Sequence, residues 1–99
     1  MKEFLVELKL CVPAGTPGDE LERRRLEESA AAADLAATGH LVRLWTRPLL
    51  EGGTIMVGLY RAGTSAELDG MLGRLPLGDW LRWAITPLEP HSNDPTAVA

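Results

Sequence analysis

Residues 40–60 read HLVRLWTRPLLEGGTIMVGLY, and how this stretch divides decides the fold. HLVRLWTR (40–47) and TIMVGLY (54–60) carry the branched and aromatic residues that suit a pleated, half-buried strand. Between them, Pro48 and the run Glu51-Gly52-Gly53 supply turn chemistry, because glycine takes positive φ without steric cost. Two strands this close in sequence form an antiparallel hairpin.

On either side of the hairpin the hydrophobic period changes to that of a helix. Upstream, Thr16 is placed to cap and Pro17 to occupy the first helical position, with Asp19 and Glu20 at the positive end of the dipole. This helix is expected to run to about Thr38, with Gly39 making the left-handed exit, and its four alanines (30–33) favour helix and permit close approach to a sheet. Downstream, Thr64-Ser65-Ala66-Glu67 is a capping box for a shorter helix carrying Leu68, Met71 and Leu72 and ending before Pro76. The outermost segments are strands again. EFLVELKLCV (3–12) sets Phe4, Val6, Leu8, Leu10 and Val12 against Leu5, Glu7, Lys9 and Cys11, and WLRWAIT (80–86) is closed by Pro87.

The order is therefore β-α-β-β-α-β, an α+β chain of the ferredoxin-like type. Two helices are expected on one face of a four-stranded antiparallel sheet, with a single domain over residues 1–89 and a polar tail over 90–99. Leu5, Cys11, Trp45, Met56 and Trp83 put more apolar surface on the strands than two helices can hide. Pairing of two sheets face to face, as a dimeric α+β barrel or a larger ring, is the expected remedy.

Composition narrows the function. The 99 residues are 45% apolar and 24% charged, with a net charge of −4. The one basic run, Arg23–Arg25, is interleaved with Glu20, Glu22, Glu27 and Glu28 on the first helix, so a nucleic-acid partner is not expected. No apolar stretch has membrane-spanning length, and the opening MKEFLVELKL alternates instead of forming a signal core, so the expected location is cytoplasmic. Cys11 stands alone, which excludes an internal disulfide, and two histidines 51 positions apart with one cysteine make no zinc set. No phosphate loop, HExxH or GxSxG motif occurs. What remains is acid–base chemistry without metal or organic cofactor.

Glu28 is the candidate base. On the helical wheel it shares a side with Leu21, Ala32 and Leu35, whereas Glu27 faces away with Arg23 and Asp34. A carboxylate sheltered against a sheet has its pKa raised, which improves it as a base toward carbon acids. Arg24, one turn earlier, can instead hold Glu28 ionised as a structural pair, and spacing does not decide between the two. Arg43 and Arg47 alternate with Trp45 on one strand face, either solvated or with one anchoring a carboxylate, and Trp45, Trp80 and Trp83 suit core or interface packing or stacking on a flat ligand. His40 begins a strand as a structural histidine, and His91 lies in the tail.

EES (27–29), GHLVRLW (39–45) and LPLGDWLRWAITPLEPHSNDP (75–95) together resemble the muconolactone Δ-isomerase family. The most specific part is the ending Leu75-Pro76-Leu77, Thr86-Pro87-Leu88 and His91. The resemblance implies a ferredoxin-like subunit that pairs by its sheets and assembles further, up to a decamer. It also implies cofactor-free conversion of muconolactone to the 3-oxoadipate enol-lactone in aromatic catabolism by the β-ketoadipate pathway. Glu28 matches the family's helix glutamate, the proton-transferring base. Substrate-binding roles fall to Arg43, Trp45, Arg47, Trp80 and His91. The hairpin LLEGGTIMVGLYRA (49–62) departs from the family's aromatic and asparagine-rich segment, and Trp80 stands where the family has tyrosine. Two other readings fit the same residues: a non-catalytic α+β-barrel protein that binds a small ligand or oligomerises, and a cofactor-free monooxygenase of similar fold.

Overall fold

Alternating burial along β1 (Lys2–Leu10) gives it two unlike faces, and pairing on both edges places it inside the sheet. The computed structural model describes residues 1–96 of the chain, so the last three residues of the expected tail lie outside the described part. After β1 come α1 (Gly18–Ala37), β2 (Leu41–Pro48), β3 (Thr54–Ala62), α2 (Ser65–Gly73), a 3-10 turn at Gly78–Trp80 and β4 (Leu81–Leu88). The strands pair antiparallel in the order β2-β3-β1-β4, the expected ferredoxin-like α+β arrangement.

Register assigns the two faces. Phe4 faces Tyr60, Val6 faces Gly58 and Leu8 faces Met56 across β1 and β3, while Leu8 and Leu10 face Trp83 and Leu81 of β4. This is the helix-covered face. Its core joins Phe4, Val6, Leu8 and Tyr60 to Leu68 and Leu72 of α2 and to Leu75, Leu77, Trp80 and Leu81 beyond it. On the opposite face Leu59 lies between Leu5 and Arg43, and Val57 between Glu7 and Trp45. That face carries the 41%-exposed Trp45.

Several boundaries differ from the sequence reading, each for a local reason. Thr16 does not cap α1: its hydroxyl donates to the Pro13 carbonyl at 2.7 Å, and Pro17, with ψ 141°, takes the cap position instead of the first helical one. The capping box of α2 is displaced by one residue. Thr64 Oγ1 accepts from the Glu67 amide at 3.1 Å, but the Glu67 carboxylate accepts from Gly63. β1 ends at Leu10, before Cys11 and Val12, although the Cys11 amide still donates to the Trp80 carbonyl. Trp80 lies in the 3-10 turn and not in β4. β4 runs through Pro87 to Leu88, as an edge strand can, since one side of it needs no ladder donor. The exit from α1 is as expected, with Gly39 at φ 81°. No helix among the described residues is long and apolar enough to cross a membrane.

Candidate active site

The two helices cover the sheet unequally. α1 is 20 residues long and fully buries none of them. Its Leu21, Ala31 and Leu35 reach the margin of the core, but the alanines between them fill little volume. A cavity of about 160 Å³ is left between helix and sheet. Glu28, Ser29, Ala32 and Leu35 form its α1 wall; Leu8, Met56 and Tyr60 form its floor. Leu41 and Leu44 of β2 flank it, and Leu44, 46% exposed, marks the mouth.

Glu28 thus faces inward, as its helical position requires. Oε1 accepts a hydrogen bond from the Leu77 amide at 2.9 Å. Burial raises its pKa above the ordinary carboxylate value, and the Leu77 bond offsets part of that rise. Oε2 has no hydrogen-bond partner among the described residues and is free for chemistry. Arg24 does not pair with it. The guanidinium instead donates to the Pro76 carbonyl at 3.2 Å, lies 3.4 Å from Glu20 and 3.5 Å from Asp79, and stacks 4.1 Å from the Trp80 ring centre. Arg24 is therefore not the structural partner of Glu28. Glu27, by contrast, is a solvated acid bound to Arg23 at 2.6 Å.

The segment carrying the Leu77 donor is held from both sides. Arg24 and Glu28, one turn apart on α1, bind Pro76 and Leu77 in turn. On the other side Gly78 presses against the end of α2, where a Cβ would come within 2.6 Å of the Gly73 carbonyl oxygen. The donor to Glu28 is therefore preorganised, which is what a catalytic carboxylate needs in order to keep one orientation.

Tyr60, opposite Glu28, was not among the sequence candidates. Its side chain is only 4% exposed, yet its hydroxyl has no hydrogen-bond partner among the described residues. Among the described residues no fully buried polar side-chain atom lacks a partner, so this oxygen keeps some accessibility, and Tyr60 is one of the residues that line the cavity. Burial and the nearby Glu28 charge push the phenol pKa up to about 12. Gly58, two residues earlier on the same face, makes room for the ring: a Cβ there would collide with Tyr60 and come within 3.3 Å of Leu44. The available signal was the chain's single tyrosine at a core-facing strand position, since a buried phenol needs a partner for its hydroxyl.

The expected substrate-binding residues lie elsewhere. Arg43, Trp45 and Arg47 do share one face of β2, but it is the face without helices. There Arg43 stacks 4.7 Å from the Trp45 ring, and Arg47 lies 3.8 Å from Glu7. Trp80 is a core residue covered by Arg24. His91 is exposed in the tail, where its Nδ1 accepts from the Asn93 amide at 2.9 Å. None of the five lines the Glu28 cavity within this chain. His40 is structural, its Nδ1 lying 2.8 Å from the Arg61 carbonyl oxygen.

The chain is a ferredoxin-like α+β domain with a sheltered, singly bonded carboxylate between helix and sheet. The family model described as muconolactone delta-isomerase matches residues 2–94, and the chain belongs to that family. Among solved structures it is similar to a muconolactone isomerase, at a TM-score of 0.81 and 18% identity over 97% of each chain. A more distant likeness is to an uncharacterized protein from Thermotoga maritima, with a TM-score of 0.51 and 13% identity over 89% of this chain and 98% of that one. No curated protein sequence matches the chain.

Proposed function

We propose that the protein is a cofactor-independent isomerase that moves a proton within an unsaturated lactone, muconolactone or a relative, with Glu28 as the base. The observation that carries this reading is the Glu28 carboxylate: half-buried in an apolar cavity, raised in pKa, and fixed by one backbone donor with its second oxygen free. Oε2 removes the ring proton γ to the lactone carbonyl. The electron pair delocalises through the conjugated system onto the carbonyl oxygen, and the protonated carboxyl returns the proton at the α carbon. No electron leaves the substrate, so the step needs no redox partner. The apolar walls keep water from the dienolate and keep the carboxylate weakly solvated, which raises its basicity.

Glu28→Gln tests the assignment. The amide oxygen can still accept from Leu77 but cannot take a proton, so turnover of muconolactone is expected to fall by about 10²- to 10⁴-fold with folding retained. Full activity in this variant would refute the base, and a wild-type protein inert toward lactones would return the chain to the ligand-binding reading. Since the base acts as the anion, kcat/KM is expected to rise with pH through the elevated Glu28 pKa and then level off.

The same proposal includes self-association through the open sheet face. Trp45 is 41% exposed there, beside the half-buried Leu5, Val57 and Leu59. Light scattering is expected to give at least a dimer, and Trp45→Glu to shift it toward monomer.

A further inference from the structure

We infer that the Glu28 cavity is built for an uncharged ring lactone or enone, whose carbonyl oxygen takes its hydrogen bond from Tyr60. The inference rests on the isomerase reading and narrows its substrate class.

Three observations carry it. The first is charge. Among the described residues Glu28 is the only charged side chain lining the cavity, and the nearest helix cation, Arg24, is occupied by Glu20, Asp79, the Pro76 carbonyl and Trp80. Arg43 and Arg47 lie on the other side of the sheet. A substrate carboxylate would enter beside Glu28 with no cation from this chain to balance it, and like charges at close range hold a proton on one of them, silencing the base.

The second is size. A cavity of about 160 Å³ is close to the roughly 150 Å³ apolar cavity that accepts benzene. It therefore suits a ring of five or six atoms with one small substituent.

The third is the phenol. Tyr60, on the floor of the cavity, carries an unpartnered O–H, and Gly58 leaves room for its ring. A donor aimed where carbonyl charge develops stabilises the dienolate. For β-angelica lactone the step balances as follows. Glu28 takes the proton γ to the carbonyl, and the C–H pair becomes the new ring double bond as charge moves to the oxygen bonded by Tyr60. The proton returns at the α carbon, the carbonyl re-forms, and α-angelica lactone leaves.

The test compares β-angelica lactone with muconolactone, which has the same conjugated ring but bears a carboxymethyl group in place of the methyl, each followed by exchange of its ring protons with deuterated solvent. Wild-type protein is expected to turn over the neutral lactone with a kcat/KM at least about tenfold higher. A preference for muconolactone, or parity, overturns the inference and points to a cation supplied by a neighbouring copy. Tyr60→Phe keeps the ring and is expected to lose about tenfold or more in kcat on the neutral lactone with KM little changed; unchanged kcat overturns the role of the phenol. A measurement independent of turnover uses the chain's single tyrosine, labelled with ¹³C at Cζ. Unreactive γ-butyrolactone is expected to shift that resonance in wild type and in Glu28→Gln alike, and no shift at saturating lactone overturns the inference. A shift without turnover of either lactone would uphold the binding site while refuting the isomerase.

Discussion

α1 and α2 lie over the same sheet and do opposite things. α2 has nine residues, and two of them, Leu68 and Leu72, are wholly inaccessible. α1 has more than twice that length and buries no residue fully. The short helix closes the core with large side chains one turn apart. The long one presents Glu28, Ser29 and Ala32 to the sheet and leaves a hollow beneath them. Stability is concentrated under α2, and chemistry is possible under α1 because packing there is incomplete.

Substitutions on the two helices can break that contrast. Leu72→Ala is expected to cost about 2–5 kcal/mol, measured by urea unfolding, since a filled site is emptied. Leu35→Ala on α1 is expected to cost about half as much or less, because this leucine already borders the hollow. Equal costs would show that the two helices are packed alike. Ala32→Leu sharpens the contrast from the other direction. It fills the hollow, so stability is expected to change by about 1 kcal/mol or less while lactone turnover is largely lost. Trp83→Phe removes the 2.9 Å bond from the indole N–H to Asp69 at the edge of α2, for about 1 kcal/mol.

The smallest effect is a pH dependence. Native Glu28 holds its proton more tightly than the unfolded chain does, so its contribution to stability is complete below about pH 4.5 and is lost as pH rises through the elevated native pKa. Glu28→Gln does not titrate. The melting temperature of the variant relative to wild type is therefore expected to climb across that window and then stay level. A difference that narrows with rising pH would mean that the native fold favours the ionised carboxylate.

The β-α-β-β-α-β order and the inward direction of Glu28 were legible because both follow from period alone: two for the strands, 3.6 for the helix. Helix and strand ends were less so, because Pro17 and Pro87 were each read as occupying one specific position and the chain used another. That Arg43, Trp45 and Arg47, expected to bind substrate, do not border the Glu28 cavity of this chain has a more instructive reason. Alternation correctly put Arg43, Trp45 and Arg47 on one face but does not say which face the helices cover. A register shift between Leu41 and Arg43 then changes the parity of β2, so Leu41 and Leu44, three residues apart, both border the cavity. Such a bulge leaves no mark in a hydrophobicity pattern. Arg24 was the other ambiguity, and only its long-range partners Pro76 and Asp79 drew it away from Glu28.

Gly58 ties two positions of β3 together. Because the Tyr60 ring occupies the space a side chain at position 58 would need, changes at the two positions are not independent. Gly58→Ala alone forces the ring to move, whereas the same change beside a smaller residue at 60 meets only the Leu44 side chain, at 3.3 Å.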